Sequence, residues 1–276
     1  MGKLIHEDLS YDIRSSLFRV YNKLGPGFRE EAYKQAVKNN LLKTGLAIDV
    51  EKKVPIPYED DPAIDTYRLD LLVEKKIILE LKAVSELHKR FVAQTLSELL
   101  ASKIELGMLV NFGSVPLEIR RLLNPHMNPA KKKNPNRVIS KQPALDDLKK
   151  EKIIHKDLCY ALYGCGYKIY NVLGSGFRET TYEKALFKEM SKAGIIYKTD
   201  KEIPVIFDDI EVDTHKIKLV VDGKIIVYVK GYADLDPHWE ARLKSELRAS
   251  KLQLGLIFNF GSSSLAIQRV LNPQMK

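Results

Sequence analysis

The chain repeats itself, and that constrains its fold more than any other feature. LIHEDLSY at residues 4–11 returns as IIHKDLCY at 153–160, and YNKLGPGFREEAY at 21–33 returns as YNVLGSGFRETTY at 170–182. VPIPYEDDPAIDT at 54–66 returns, one residue shorter, as IPVIFDDIEVDT at 203–214. ASKIELGMLVNFG then matches ASKLQLGLIFNFG without a gap, and the copies close on LNPHM and LNPQM. The repeating unit is about 120 residues, too long for a solenoid repeat and the size of a domain. A tandem duplication therefore divides the chain into a first copy at 1–127, a linker at 128–151 and a second copy at 152–276. The linker, rich in proline and carrying Lys131, Lys132 and Lys133, has no hydrophobic period and reads as exposed chain.

Within a copy the apolar positions Leu9, Ile13, Leu17, Val20 and Leu24 keep helical spacing up to a Gly-Pro-Gly break. FREEAYKQAVKNNLLK predicts a second helix, AIDVEKKVPIPY a strand, and TYRLDLLVEKKIILELKAV two strands turning at residues 74–76. A helix over 88–104, the short strand LGMLVNFG and a closing helical turn at PLEIRRLLN complete the unit. The expected class is α/β, a mixed four-stranded sheet flanked by helices, built twice.

Charge and composition narrow the function classes. The chain has 276 residues and a formal net charge of +9. Residues 1–125 are nearly balanced, with 19 basic against 18 acidic residues, whereas 126–151 carry seven against three and 152–276 carry 19 against 15. This basic excess favours a polyanionic partner, nucleic acid first. No apolar run is long enough for a membrane span and the N-terminus lacks a leader pattern. Two cysteines, Cys159 and Cys165, cannot make a disulfide framework, so the expectation is a reduced, cytoplasmic protein.

Several polar residues fall where a purely structural account struggles. Asp70 interrupts the apolar strand YRLDLLV; Glu80 and Lys82 interrupt IILELKAV and share one strand face; Glu30 opens the second helix. Two carboxylates about 5 Å apart repel by roughly 3 kcal/mol at an effective dielectric of 20, and a divalent cation between them reverses the sign. Oxygen donors alone favour Mg²⁺ or Mn²⁺ over zinc. A salt bridge from Lys82 to either acid, without function, accounts for the same residues equally well. A shared metal requires Asp70 opposite Glu80, hence a three-residue turn at 74–76; a two-residue turn would oppose Asp70 to Leu81 and part the acids.

The run GFREEAY fits G-x-x-E-x-x-Y through Gly27, Glu30 and Tyr33. Followed by RLDLLV and ELK, it resembles the GxxExxY proteins of the PD-(D/E)XK nuclease superfamily, over nearly all of residues 4–125. The resemblance implies a restriction-endonuclease-like core and an Mg²⁺-dependent phosphodiester hydrolase acting on nucleic acid, DNA ahead of RNA. It implies Asp70, Glu80 and Glu30 as the metal-site acids, Lys82 as the lysine that activates water or stabilises charge, and Gln94 as the glutamine of the next helix. Glu98 stands where RecB-like members carry a tyrosine. Tyr33 and its counterpart Tyr182 read as packing or orienting residues.

The second copy departs from this pattern. Asp70 becomes Lys218, Glu80 becomes Tyr228 and Gln94 becomes Arg242, while Glu30 and Lys82 persist as Glu179 and Lys230. Glu-Asp-Glu-Lys, net −2, becomes Glu-Lys-Tyr-Lys, net +1, with no use for Mg²⁺. Lys218, Lys230 and Arg242, with the Lys131–Lys133 run, could then hold a phosphate backbone; the alternative is a scaffold that has drifted. His6 and His155 before the first helix of each copy read as caps or surface, and Trp239 as packing. The expectation is one catalytic copy and one binding or scaffold copy, paired within the chain as a pseudo-dimer, with further oligomerisation open. Its rivals are a non-catalytic nucleic-acid-binding or scaffolding protein of the same fold, and a hydrolase of a nucleotide or another phosphoester.

Overall fold

The computed structural model describes residues 4–125, 127, 154–232 and 235–275. The linker expected at 128–151, with Lys131, Lys132 and Lys133, lies outside the described residues. The chain forms two compact units, Met1–Pro135 and Asn136–Lys276.

In the first unit, α1 (Glu7–Leu24) buries the stripe Ile13, Leu17 and Val20. Gly25 stops it at φ 66°, its N–H donating to the Tyr21 carbonyl at 2.7 Å. Gly27 takes φ 110°, a backbone that side chains rarely allow, so the chain turns back and α2 (Glu30–Lys43) starts on Glu30. Two acids, Glu30 and Glu31, sit in its first turn, where the helix dipole favours negative charge. His6 and its counterpart His155 precede their helices in left-handed conformation, and neither side chain makes a cap hydrogen bond.

Strands β1 (Ile48–Tyr58), β2 (Asp61–Val73) and β3 (Ile77–Lys82) form an antiparallel meander. Helix α3 (Lys89–Ser102) carries the chain over to β4 (Leu106–Asn111), parallel to β3. The closing segment is a strand, β5 (Glu118–Leu123), antiparallel to β4, and not the helical turn the sequence predicts. The sheet is therefore five-stranded, in the order β1-β2-β3-β4-β5. Both faces are covered. Leu79 and Leu81 pack with α1 and α2, whereas Ile78 packs with Leu99 of α3.

The second unit repeats this plan with α4 (Lys156–Leu173), α5 (Glu179–Lys192), β6 (Tyr197–Phe207), β7 (Ile210–Val221), β8 (Ile225–Lys230), α6 (His238–Ser250), β9 (Leu254–Asn259) and β10 (Ala266–Leu271). Its sheet runs β10-β9-β8-β7-β6. Cys159 and Cys165 are both buried and free. Among the described residues no helix is long and apolar enough to cross a membrane.

Candidate active site

Strand register brings the first acids together. Leu71 pairs with Leu79 and Val73 with Ile77, leaving the three-residue turn Glu74-Lys75-Lys76 and setting Asp70 opposite Glu80. This is the register required for one sheet face to hold both acids. Asp70 Oδ2 accepts the Leu81 N–H at 3.0 Å, so the carboxylate is locked against the partner strand.

Glu80 lies in the fully buried strand β3, only 2% exposed. Its Oε1 accepts from Lys82 Nζ at 2.7 Å and from Gln94 Nε2 at 2.6 Å, and the buried carboxyl group also meets that of Glu98. Burial, then the charges of Glu98 and Asp70, push its pKa well above the carboxylate range. Lys82 also reaches Glu30 Oε2 at 3.8 Å. Burial alone would favour a neutral amine there, but Glu80, Glu30 and Asp70 outweigh it and hold Lys82 charged. Glu30, more exposed, has a raised pKa, chiefly from burial and less so from Asp70. The structure thus gathers Glu30, Asp70, Glu80, Lys82 and Gln94 at one place.

Two further residues belong to this cluster. Glu98, one turn after Gln94 on α3, accepts from Gln94 Nε2 at 2.9 Å and meets the Glu80 carboxyl group. Burial first, with Asp70 adding to it, pushes Glu98 up to about 7. Lys34, one turn into α2, lies 2.9 Å from Glu31, 3.3 Å from Glu51 and 3.7 Å from Asp70. The sequence does carry a signal for Lys34. Its counterpart is Glu183, and the counterpart of Asp70 is Lys218, so both positions change sign together. The pair survives inverted, with Lys218 Nζ 2.5 Å from Glu183.

The turn ahead of Glu30 is pinned by Tyr33. Its hydroxyl donates to the Gly25 carbonyl at 2.7 Å and accepts the Phe28 N–H at 3.1 Å, while its ring stacks on Phe112 at 4.5 Å. Tyr182 repeats all three contacts with Gly174, Phe177 and Phe260. Asn111 fixes the far end of β3, accepting the Val84 and Gly113 N–H groups at 3.0 Å each.

In the second unit Lys230 pairs with Glu179 at 3.2 Å and Arg242 with Glu246 at 3.3 Å, alongside Lys218 with Glu183. The net +1 read from four residues is therefore corrected: Glu179, Glu183 and Glu246 offset Lys218, Lys230 and Arg242, and the cluster is neutral. The first cluster stays at −2, with Glu30, Asp70, Glu80 and Glu98 against Lys34 and Lys82. Trp239 occupies the Phe91 position, its ring 3.4 Å below Lys230 Nζ.

A mixed sheet that presents two opposed acids, a lysine two residues after the second, and helices on both faces is a nuclease-like core. The chain belongs to the PD-(D/E)XK nuclease superfamily, whose sequence profile matches residues 7–122 and again 156–270. No curated protein and no solved structure matches the chain.

The superfamily implies a divalent metal ion, and the first site suits one by its chemistry. Its anionic ligands are oxygen donors alone, its formal charge is negative, and Glu80 is crowded by the carboxyl groups of Glu98 and Asp70. Among the described residues no group of three or more His, Cys, Asp or Glu is drawn tightly enough to hold a metal ion as the side chains stand. Lys82 and Gln94 occupy one Glu80 oxygen.

Proposed function

We propose that the first copy is an Mg²⁺- or Mn²⁺-dependent phosphodiester hydrolase of nucleic acid, DNA ahead of RNA, and that the second copy does not cleave. The narrower likeness to the GxxExxY proteins belongs to the same proposal. The observation that carries it is Glu80, buried opposite Asp70 and against Glu98 in a cluster of formal charge −2. Such an arrangement is costly unless a cation meets it.

Asp70, Glu80 and Glu30 would hold the metal, which when bound polarises the phosphoryl oxygen and acidifies a water. Asp70 is already oriented by the Leu81 amide, and Gln94 fixes Glu80 from the facing helix. Lys82 is held charged, so it offers a fixed positive charge to the attacking oxygen or the phosphate. Lys34 restrains Asp70 from the side of α2. No histidine stands in the cluster, which leaves protonation of the leaving oxygen to solvent.

A cleavage panel over single- and double-stranded DNA and RNA, with Mg²⁺ and with Mn²⁺, tests this. Cleavage with wild type and none with Asp70→Ala is expected. The rival, a binding or scaffold protein, takes support from the tight Lys82–Glu80 pair at 2.7 Å. Retained binding with no cleavage of any substrate in either metal establishes it.

A further inference from the structure

The second copy lacks the counterparts of Asp70 and Glu80 and holds a cavity beside their places. Where the first copy gathers carboxylates, the second encloses about 160 Å³ between Tyr228, Trp239, Phe187 and Leu219, with Lys218 and Arg242 at its polar wall. An apolar cavity of about 150 Å³ holds one benzene ring, so this space, open on one side, is large enough for one six-membered ring.

Its polar groups are of both kinds. Glu246 and Tyr228 line the cavity and are 5% and 8% exposed; the Tyr228 hydroxyl is set against the Glu246 carboxylate, whose Oε1 also meets His215 at 2.9 Å and Arg242 at 3.3 Å. The cations are already matched, Lys218 by Glu183, Lys230 by Glu179 and Arg242 by Glu246. A phosphate would have to break these pairs. A neutral ring with donors and acceptors on its edge would not. Carboxylates accept from the amino group of cytosine, and guanidinium or ammonium groups donate to ring nitrogens and carbonyls. The wall is rigid beforehand, because Lys230 lies over the Trp239 ring, Tyr232 stacks beside it at 6.4 Å, and Tyr228 meets it edge-on at 6.1 Å. A preorganised wall spares the ordering cost of binding.

We propose that the vacated site of the second copy is a pocket for one pyrimidine base turned out of a nucleic-acid strand, its polar edge on Glu246 and Arg242 and its ring beside Trp239. This takes nucleic acid as the partner from the function proposed above. It assigns to the second copy a base contact in place of the backbone contact its lysines first imply.

Trp239 is the only tryptophan in the chain, so its fluorescence reports on this pocket alone. The measurement uses the full chain carrying Asp70→Ala, without metal, titrated with cytidine, uridine, guanosine, inorganic phosphate and short single strands. Saturable quenching by the pyrimidine nucleosides is expected, with dissociation constants on the order of 1 mM for so few atoms, and tighter binding by oligo(dC) or oligo(dT). Tyr228→Phe and Glu246→Gln, which keep the shape of the pocket, should each weaken it by about tenfold. Quenching by phosphate alone, quenching by guanosine equal to that by cytidine, nucleosides binding where strands do not, no quenching, or no effect of either variant would each overturn the proposal. Cleavage by wild type with no quenching sinks only the pocket. Quenching without cleavage in any metal sinks only the nuclease.

Discussion

Glu80 and Glu98 face each other across the gap between β3 and α3, bridged by the Gln94 amide and hydrogen-bonded carboxyl to carboxyl. A carboxyl group whose pKa is higher folded than unfolded holds its proton more tightly in the folded state. Its stabilising contribution is present below the ordinary value of 4.5 and is lost as pH rises to about 7. For Glu98 alone the loss across that window is about 3 kcal/mol. Metal-free protein should therefore become less stable from pH 4.5 to 7, and Glu98→Gln should flatten the slope; denaturant melts at several pH values measure it. A slope unchanged in the variant would show that Glu98 keeps its charge without difficulty. Metal acts on the same surplus. Mn²⁺ at 100 times its dissociation constant should add about 2.7 kcal/mol at neutral pH, and Asp70→Asn or Glu80→Gln should remove that gain while raising stability without metal. A melting temperature indifferent to Mn²⁺ in wild type would argue strongly against the site.

Elements deliver these residues, and small side chains set the elements. Tyr33 ties the Gly25–Phe28 turn to the core, so Tyr33→Phe strands a carbonyl and an amide at the base of the helix that begins with Glu30. It should cost about 1–3 kcal/mol and depress cleavage beyond the loss of folded protein, because Glu30 loses its fixed footing; activity compared at equal folded fraction decides this. Gly113→Ala would place a Cβ 2.5 Å from the Val84 carbonyl oxygen, a backbone atom that cannot yield, and should destabilise by about 1–3 kcal/mol, seen as a lower melting temperature. Most elements were legible from periodicity, and the acids stood out because each broke an apolar strand. Strand β5 was not legible. Ile119 packs with the α1–α2 cluster and Leu122 with the α3 cluster, on opposite faces of the sheet. A strand half-buried on both sides thus shows the i, i+3 spacing of a helix, and pairing with β4 overrides it. Its neighbour Asn124 was legible as a repeated LNP but not in its role, which is to donate to the Leu99 and Ile104 carbonyls where α3 ends. Lys34 was missed, and Glu98 was read only as standing where a tyrosine is usual, because their partners, Gln94 and Glu31 aside, are remote in sequence and the sheet and helices bring them in.

At the scale of the whole molecule, the two copies show what a duplicated fold can keep after its chemistry goes. The Tyr–Gly turn, the Asn at the end of the fourth strand and the Asn that caps the crossover helix are present in both units with the same bonds. The charges are not. The ion pair between helix and strand has exchanged signs, and the surplus of −2 that suits a cation has fallen to zero. A change that reverses both partners keeps the helix docked on the strand, so the second unit retains the fold by compensation, whereas a metal site would need the acids back. On the function proposed above, each chain carries one cleaving centre. Nucleases that cut both strands in one encounter generally bring two centres together by twofold symmetry. Supercoiled plasmid should therefore pass first to nicked circles, with linear product appearing only late and in proportion to accumulated nicks. Restoring acids in the second copy, with Lys218→Asp and Tyr228→Glu made together with Glu183→Lys so that the inverted pair is turned back, should shift the products toward early linear DNA if the two units can address opposite strands. Prompt linearisation by wild type at low enzyme concentration would instead mean that first copies of two molecules meet, and one-strand cleavage by a single chain would be ruled out.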